Sequence, residues 1–362
     1  MVLVESLAEL DRRLAAGATW MTGWRLRQLD LTERSQQLRE CDVEGATFIG
    51  CRFANGDADW LEEQGALVLP TIAGVPVDVY RTGLYTPEEL YSPVSWPPAG
   101  RYAESLDGRA YAWSQQVGTP EDTLARALHD HAVDEALESW RHGRHIVGVM
   151  GGHALDRGGE GYAEAARLGA ALGAINGVTV ATGGGPGAME AANLGGYLAR
   201  QPARTLTRAL TMLSAVPSYR PSVRAWAQAA FEVRATWPGE VSLGIPTWHY
   251  GHEPPNVFAG AIAKLFRNSL RESLLLQVCD GGIVFLPGAA GTVQEVFQDA
   301  CENYYADPSS LAPMVLVGRR HWTEERPVWQ LLEALAQGRA MAPLIHLVDD
   351  VEEAAAVIQA AR

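Results

Sequence analysis

From Ile146 onward, short apolar runs alternate with segments of helical length, and this alternation constrains the fold more than any other feature. Ile146–Met150, Val178–Ala181, Val241–Ile245, Ile283–Leu286, Met314–Val317 and Ile345–Val348 read as strands. Ala209–Leu213 is expected to be another. Between the first two runs, roughly Tyr162 to Leu172 reads as a helix carrying Ala166, Leu168, Ala170 and Leu172. Strands separated by helices of this length predict an α/β fold, a doubly wound parallel sheet covered on both faces. Ligands of such sheets bind at the carboxyl ends of the strands.

The first hundred-odd residues follow another rhythm. Leu38, Val43, Phe48 and Phe53 recur every five residues, with small residues at Cys41, Ala46 and Cys51. This is similar to a pentapeptide-repeat coil. It covers only about one turn, whereas solenoids need stacked neighbours, so a small α+β module fits the spacing at least as well. Val94–Gly100, within a Pro-, Gly- and polar-rich stretch from Ser92 to Pro120, reads as a linker. Thr119-Pro120 supplies an N-cap and a first-turn proline for a helix running to about Arg141. The expected division is an accessory module with its linker over 1–118 and a sheet domain over 119–362.

The 362 residues allow two domains, and 47% apolar residues supply ample core. A net charge of −14 argues against a nucleic-acid polymer or an anionic membrane as partner. Lys264 is the only lysine, so any Schiff-base chemistry must use it. Cys41, Cys51, Cys279 and Cys301 form no CxxC pair and no metal-type cluster, so neither a disulfide framework nor a zinc site is expected. The first residues do not read as a signal peptide, and no apolar stretch approaches the ~20 residues that span a bilayer. The expected location is cytoplasmic.

Glycine turns carry the chemistry. Pro287-Gly288-Ala289-Ala290-Gly291-Thr292-Val293-Gln294-Glu295 joins the Ile283 strand to a helix-like stretch. Such a turn leaves the first helical N–H groups free for an anion, and the helix dipole favours negative charge there. Glu295, one turn in, would stand beside whatever bears that anion. A second turn, Gly183-Gly184-Gly185-Pro186-Gly187, follows the Val178 strand. It permits close backbone approach to a phosphate or a nucleotide, or simply packs helix against sheet. Gly151-Gly152-His153 follows the first strand and continues as a loop. A further helix is expected through Phe266–Leu276, on which Arg267 and Arg271, four apart, share a face.

Gly183–Gly187, Arg271 and Pro287–Glu295, in this order, resemble the LOG-type phosphoribohydrolases, a family also labelled lysine decarboxylases. The resemblance covers about residues 140–350. It implies a Rossmann-like homodimer, or a higher homo-oligomer, that cleaves nucleoside 5′-monophosphates to free base and ribose 5-phosphate without metal or organic cofactor. Ile245–Pro254 is similar to the longer bacterial nucleosidases of the family. Glu295 and Arg271 match its catalytic pair. Gly288, Gly291 and Thr292 match the phosphate loop, and Gly183, Gly184, Gly185 and Gly187 the first glycine turn, with Gly151 and Gly152 placed at the same edge. Ala289 departs from the family's glycine, and Glu272 stands where many members have a lysine, so that role is either absent here or taken by another residue, with Arg267 the candidate.

The chemistry agrees with the resemblance. Breaking a ribosyl C–N bond builds positive charge on the sugar, which a carboxylate stabilises directly or meets by activating water. Arginine is a poor proton donor, so Arg271 is expected to orient substrate and hold Glu295 ionised by pairing. His249 and His252, flanked by Trp248 and Tyr250, are candidates for a base-stacking pocket, though packing accounts for them as well. Trp226 and Trp237 read as packing residues. His129 and His131, two apart on a helix, face different sides. A non-catalytic nucleotide sensor, a ribosyl transferase and a Lys264-dependent decarboxylase are the competing readings.

Overall fold

The computed structural model describes residues 2–92, 101–249 and 253–362. The chain forms two compact units: one runs to Tyr80 and includes Gly118–His129, the other comprises Arg81–Val117 and Asp130–Arg362. Among the described residues no helix is long and apolar enough to cross a membrane.

In the first unit strands and helices alternate as β1 (Val2–Val4), α1 (Leu7–Ala15), β2 (Trp24–Arg27), α2 (Ser35–Arg39), β3 (Thr47–Ile49), α3 (Asp57–Glu63) and β4 (Leu67–Leu69). The four strands are parallel and stack in chain order. Their partners Val2–Trp24, Arg25–Thr47 and Thr47–Leu67 place successive rungs 22, 22 and 20 residues apart. Leu26 aligns with Phe48, and Phe48 with Val68, so each rung stacks an apolar side chain on the next. Val4, Leu26 and Phe48 are fully buried. Gly23, Gly45 and Gly65 repeat at matching places with φ of +74°, +71° and +84°. The Gly23 N–H donates to the Gly45 carbonyl and the Gly45 N–H to that of Gly65. Only glycine takes this left-handed turn without strain. The five-residue spacing is thus part of a longer period: the module is a stacked βα coil of four rungs rather than a mixed α+β unit.

In the second unit α4 (Pro87–Tyr91), α5 (Leu106–Ser114) and α6 (Pro120–Arg141, shared at its start with the first unit) precede the sheet. The sheet region runs β5 (His145–Met150), α7 (Glu160–Ala174), β6 (Val178–Thr182), α8 (Ala188–Leu198), α9 (Ala203–Leu213), α10 (Val223–Thr236), β7 (Leu243–Gly244) and β8 (Ala261–Ile262). It continues through α11 (Asn268–Gln277), β9 (Ile283–Phe285), α12 (Ala290–Tyr305), β10 (Met314–Val317), α13 (Trp329–Ala336), β11 (Ile345–Val348) and α14 (Val351–Ala360). The seven strands are all parallel, in the order β11-β10-β9-β5-β6-β7-β8. The chain winds outward from β5 to β8, then returns to the other side of β5 with β9. The fold is therefore Rossmann-like α/β, and its winding reverses between β5 and β9. Residues Ile146–Met150, Ile283–Phe285 and Met314–Val317 are buried without alternation, the pattern of strands covered on both faces.

Three expectations change here. Ala209–Leu213 is the end of helix α9, where Thr205, Ala209 and Leu213 are buried at four-residue spacing, a helical and not a strand period. The division falls after Tyr80 rather than near 118, because the described residues between Arg81 and Val117 pack with the sheet unit. Tyr85 and Ile262 exchange backbone hydrogen bonds of 2.9 Å, and the Tyr91 hydroxyl donates to the Pro255 carbonyl at 2.7 Å. Part of the expected linker is thus helix α5, while Val94–Gly100 lies outside the described residues. The Thr119 cap is present: its hydroxyl accepts from the Asp122 N–H at 3.2 Å, and its own N–H donates to the Asp122 carboxylate at 2.8 Å.

Candidate functional site

Three turns leave the carboxyl ends of the adjacent strands β9, β5 and β6, and they converge. A Cβ on Gly151 would lie 2.9 Å from that of Ala188 and 3.1 Å from that of Leu286. One on Gly152 would come 3.6 Å from the Pro287 carbonyl, and one on Gly187 2.6 Å from the Gly152 carbonyl. Gly151-Gly152 is therefore the seam between the Gly183–Gly187 turn and the Pro287–Thr292 turn. The winding reversal, where ligands of such sheets bind, lies at this seam.

A buried amide network holds the Gly183–Gly187 turn. The Thr182 hydroxyl donates to Asn193 Oδ1 at 2.6 Å and accepts from the Gly184 N–H at 3.0 Å. Asn256 donates through Nδ2 to the Gly185 carbonyl and to Asn193 Oδ1, and its backbone N–H donates to the Gly184 carbonyl. Thr182, Asn193 and Asn256 are fully buried, so a fully satisfied network fixes the turn rigidly. Neither asparagine stands out in the sequence, because the groups each side chain engages in this network lie 11 to 71 residues away.

The second turn starts helix α12. The helix has no side-chain cap, so its first N–H groups, from Ala290 on, have no partner within the helix. Gly288 is required for packing: a Cβ there would lie 2.2 Å from Thr292 Oγ1. Ala289 has φ −112°, a value open to any L-residue, which explains how alanine replaces glycine at this point. Gly291 is exposed with open space around it.

Arg271, in the first turn of α11, is buried, and its guanidinium lies over the first glycine turn. A Cβ on Gly183 would sit 2.5 Å from Arg271 Nη2. Nε of Arg271 donates to the Ile245 carbonyl at 2.8 Å, and Nη1 pairs with Glu272 Oε1 at 2.8 Å. Glu295 is half-buried and lies within the field of both. Burial pushes its carboxyl up from the ordinary 4.5 to about 7; Arg271 opposes this and Glu272 adds to it. The expectation that Arg271 holds Glu295 ionised is corrected accordingly. The arginine's close partner is Glu272, which neutralises much of its charge, so desolvation decides the protonation of Glu295. One turn further along α12, burial holds Asp299 well above the carboxylate range as well.

Glu272 is therefore part of the site, although its type departs from the pattern the sequence suggested. Arg267 does not substitute for it: it is exposed, stands at the N-cap of α11, and its N–H donates to Asp130 Oδ2 at 2.8 Å. Trp248 is buried. It stacks on Phe266 at 4.5 Å and donates through Nε1 to Asp107 Oδ1 at 2.7 Å, so it is a core residue rather than a base-stacking surface. His249 is exposed, while Tyr250 and His252 lie outside the described residues. Lys264 is buried against Asp107 at 2.6 Å, its ammonium 5.2 Å from the Trp248 ring centre, and burial lowers its proton affinity. His129 is buried and His131 exposed. Trp226 packs in the core and also lines a cleft of about 230 Å³ with His153, Pro186, Gly187, Tyr219 and Arg220. Behind this cleft Arg157 pairs with Glu190, its Nε donating at 3.0 Å, both side chains 1% exposed.

No protein-family model matches the chain, and no curated protein matches its sequence. Solved structures do match. A molybdenum cofactor carrier protein from Chlamydomonas reinhardtii superposes with a TM-score of 0.36 at 18% identity, covering 60% of this chain and 97% of its own. A second structure of that carrier gives 0.36 at 17%, over 60% and 96%. The protein TM1055, a structural-genomics target, gives 0.35 at 18%, over 59% and 99%.

Proposed function

We propose that the second unit is a phosphoribohydrolase of the LOG type, cleaving the N-glycosidic bond of nucleoside 5′-monophosphates. The observation that carries this reading is the half-buried Glu295 carboxyl, pushed up to about 7 within the field of the Arg271–Glu272 ion pair. It stands one helical turn from the uncapped start of α12. An acid–base group adjoining an anion seat suits a substrate that bears phosphate at one end and a scissile bond a few ångströms away.

In this reading the 5′-phosphate takes the free N–H groups at the start of α12. The ribose lies beside the Arg271 guanidinium, which packs directly on Gly183 because that residue has no side chain. As the C1′–N bond breaks, the bonding pair leaves with the base, which takes up a proton from solvent, and positive charge develops on the sugar. Ionised Glu295 faces that charge, or removes a proton from the water whose oxygen bonds to C1′. Arg271 orients the sugar and, being paired with Glu272, adds little net positive charge against the developing cation.

The test is release of free base from AMP, GMP, CMP, UMP and IMP. One or more is expected to be hydrolysed, and Glu295→Gln, which keeps the shape and deletes the charge, should lower turnover by at least ~100-fold. Binding without release across the whole panel would replace this reading with that of a nucleotide sensor.

A further inference from the structure

The strand beside β9 in the sheet is β10, and the chain leaving it makes a wide turn over His321–Glu325. Two contacts fix this turn. Trp322 is fully buried and donates through Nε1 to the Val317 carbonyl at 2.9 Å, and its ring meets that of His321 edge-on at 4.7 Å. Gly318, at φ +93°, leaves no side chain between the turn and Pro287; a Cβ there would lie 3.5 Å from the proline ring and 3.9 Å from the His321 Cβ. The imidazole is thereby delivered, with its side chain 16% exposed, onto Gly288, the first glycine of the turn that precedes α12.

His321 Nδ1 lies 3.2 Å from Glu325 Oε2. A carboxylate only accepts, so this contact selects the tautomer with the proton on Nδ1 and leaves a lone pair on Nε2. That lone pair receives the Gly288 N–H at 3.3 Å. The Gly288 carbonyl lies 3.1 Å from the same nitrogen and would be engaged only if that nitrogen carried a proton. Arg320, with Nε 3.4 Å from Glu325 Oε1, competes for the same carboxylate from solvent. Glycine alone does not hold a peptide plane, because its backbone is freer than that of any other residue. The plane at Gly288 is set from outside the turn, by this ring.

We infer that His321, oriented by Glu325, is a positioning residue that locks the Gly288 peptide and so pre-forms the phosphate seat at the start of α12. The inference rests on the phosphate seat proposed above. Pre-organisation of this kind favours ligands that carry the anion and leaves others untouched.

The experiment is calorimetric titration of the full chain with inorganic phosphate and with ribose 5-phosphate, together with steady-state kinetics on whichever nucleotide is hydrolysed. His321→Ala is expected to weaken phosphate binding at least ~10-fold, raising KM much more than it lowers kcat. His321→Gln, whose amide oxygen reaches the place of Nε2 and accepts the same N–H, should restore most of the affinity; His321→Asn, whose amide stops short, should not. Glu325→Gln, an exposed change that spares the fold, should weaken binding by a few-fold. Equal phosphate affinity in wild type and His321→Ala, or in wild type and Glu325→Gln should His321→Ala not fold, overturns the inference, as does failure of His321→Gln to restore binding at matched thermal stability. A wild-type protein that binds ribose 5-phosphate but releases no base sinks the hydrolase reading and leaves His321 to be judged by the affinities. One that binds neither phosphate ligand sinks both.

Discussion

Glu295 is the residue on which the proposed chemistry turns, and its protonation was not legible from its sequence position. A carboxylate near an arginine reads as ionised; the folded chain instead pairs that arginine with Glu272 and pushes Glu295 up to about 7. Two outcomes follow from the sign of this shift. If ionised Glu295 is the working form, kcat/KM rises with pH through about 7 and then levels off, which a pH–rate profile of the hydrolysed nucleotide checks. A profile falling through 7 would assign Glu295 the role of proton donor. The second outcome concerns stability. The folded state binds this proton more tightly than the unfolded chain, so the stabilisation is fully present below about 4.5 and is lost as pH rises to about 7. Glu295→Gln removes the half-buried charge. It should leave stability nearly unchanged at pH 4 and raise it by up to ~3 kcal/mol above pH 7, measured by denaturant unfolding at both pH values.

At the scale of elements, the turns were legible and their supports were not. Glycine-rich strand-to-helix junctions announce themselves by composition. The reason for Gly183 and Gly187 lies far along the chain, in Arg271 above the one and the Gly152 and His153 backbone against the other, whereas Gly288 is fixed by Thr292 four residues on. Two substitutions in the same turn should therefore behave differently. Gly183→Ala meets only the movable ends of Arg271 and Met189. It should fold with a loss under ~2 kcal/mol while displacing the guanidinium and lowering kcat/KM by ~10–100-fold. Gly187→Ala meets backbone at 2.6 Å and must hold φ +72°. It should destabilise the fold by ~2–4 kcal/mol, seen as a lower melting temperature. Helix α9 shows the converse failure: five residues, Ala209–Leu213, resemble a strand until the burial of Thr205 extends the four-residue period backwards.

For the molecule as a whole, two ion pairs of the sheet unit, Arg157–Glu190 and Lys264–Asp107, have all four side chains only 1% exposed. The second joins α5 to the segment after β8, with Trp248 and the Tyr102 hydroxyl also donating to Asp107. Lys264 is thus explained by architecture, and it is not presented to a ligand. Lys264→Met should destabilise the unit by ~3–5 kcal/mol by leaving Asp107 buried without its cation, measurable by chemical denaturation. An additional Asp107→Asn change should recover part of that loss.

The chain by itself determined the parallel α/β architecture and the three glycine turns, because strand and helix periods and glycine content are local properties; Arg271 and Glu295 stood out as a pair through the resemblance to the LOG type. Tertiary structure decided everything that depends on which distant groups share a desolvated space. It paired Arg271 with Glu272, made Glu295 a group that titrates near neutrality, and brought His321 onto Gly288. It also turned a five-residue rhythm into a four-rung coil whose period is 22 residues over most of its length. Burial and through-space charge set proton affinity and orientation, and neither is encoded in the spacing of residues along a strand or a helix.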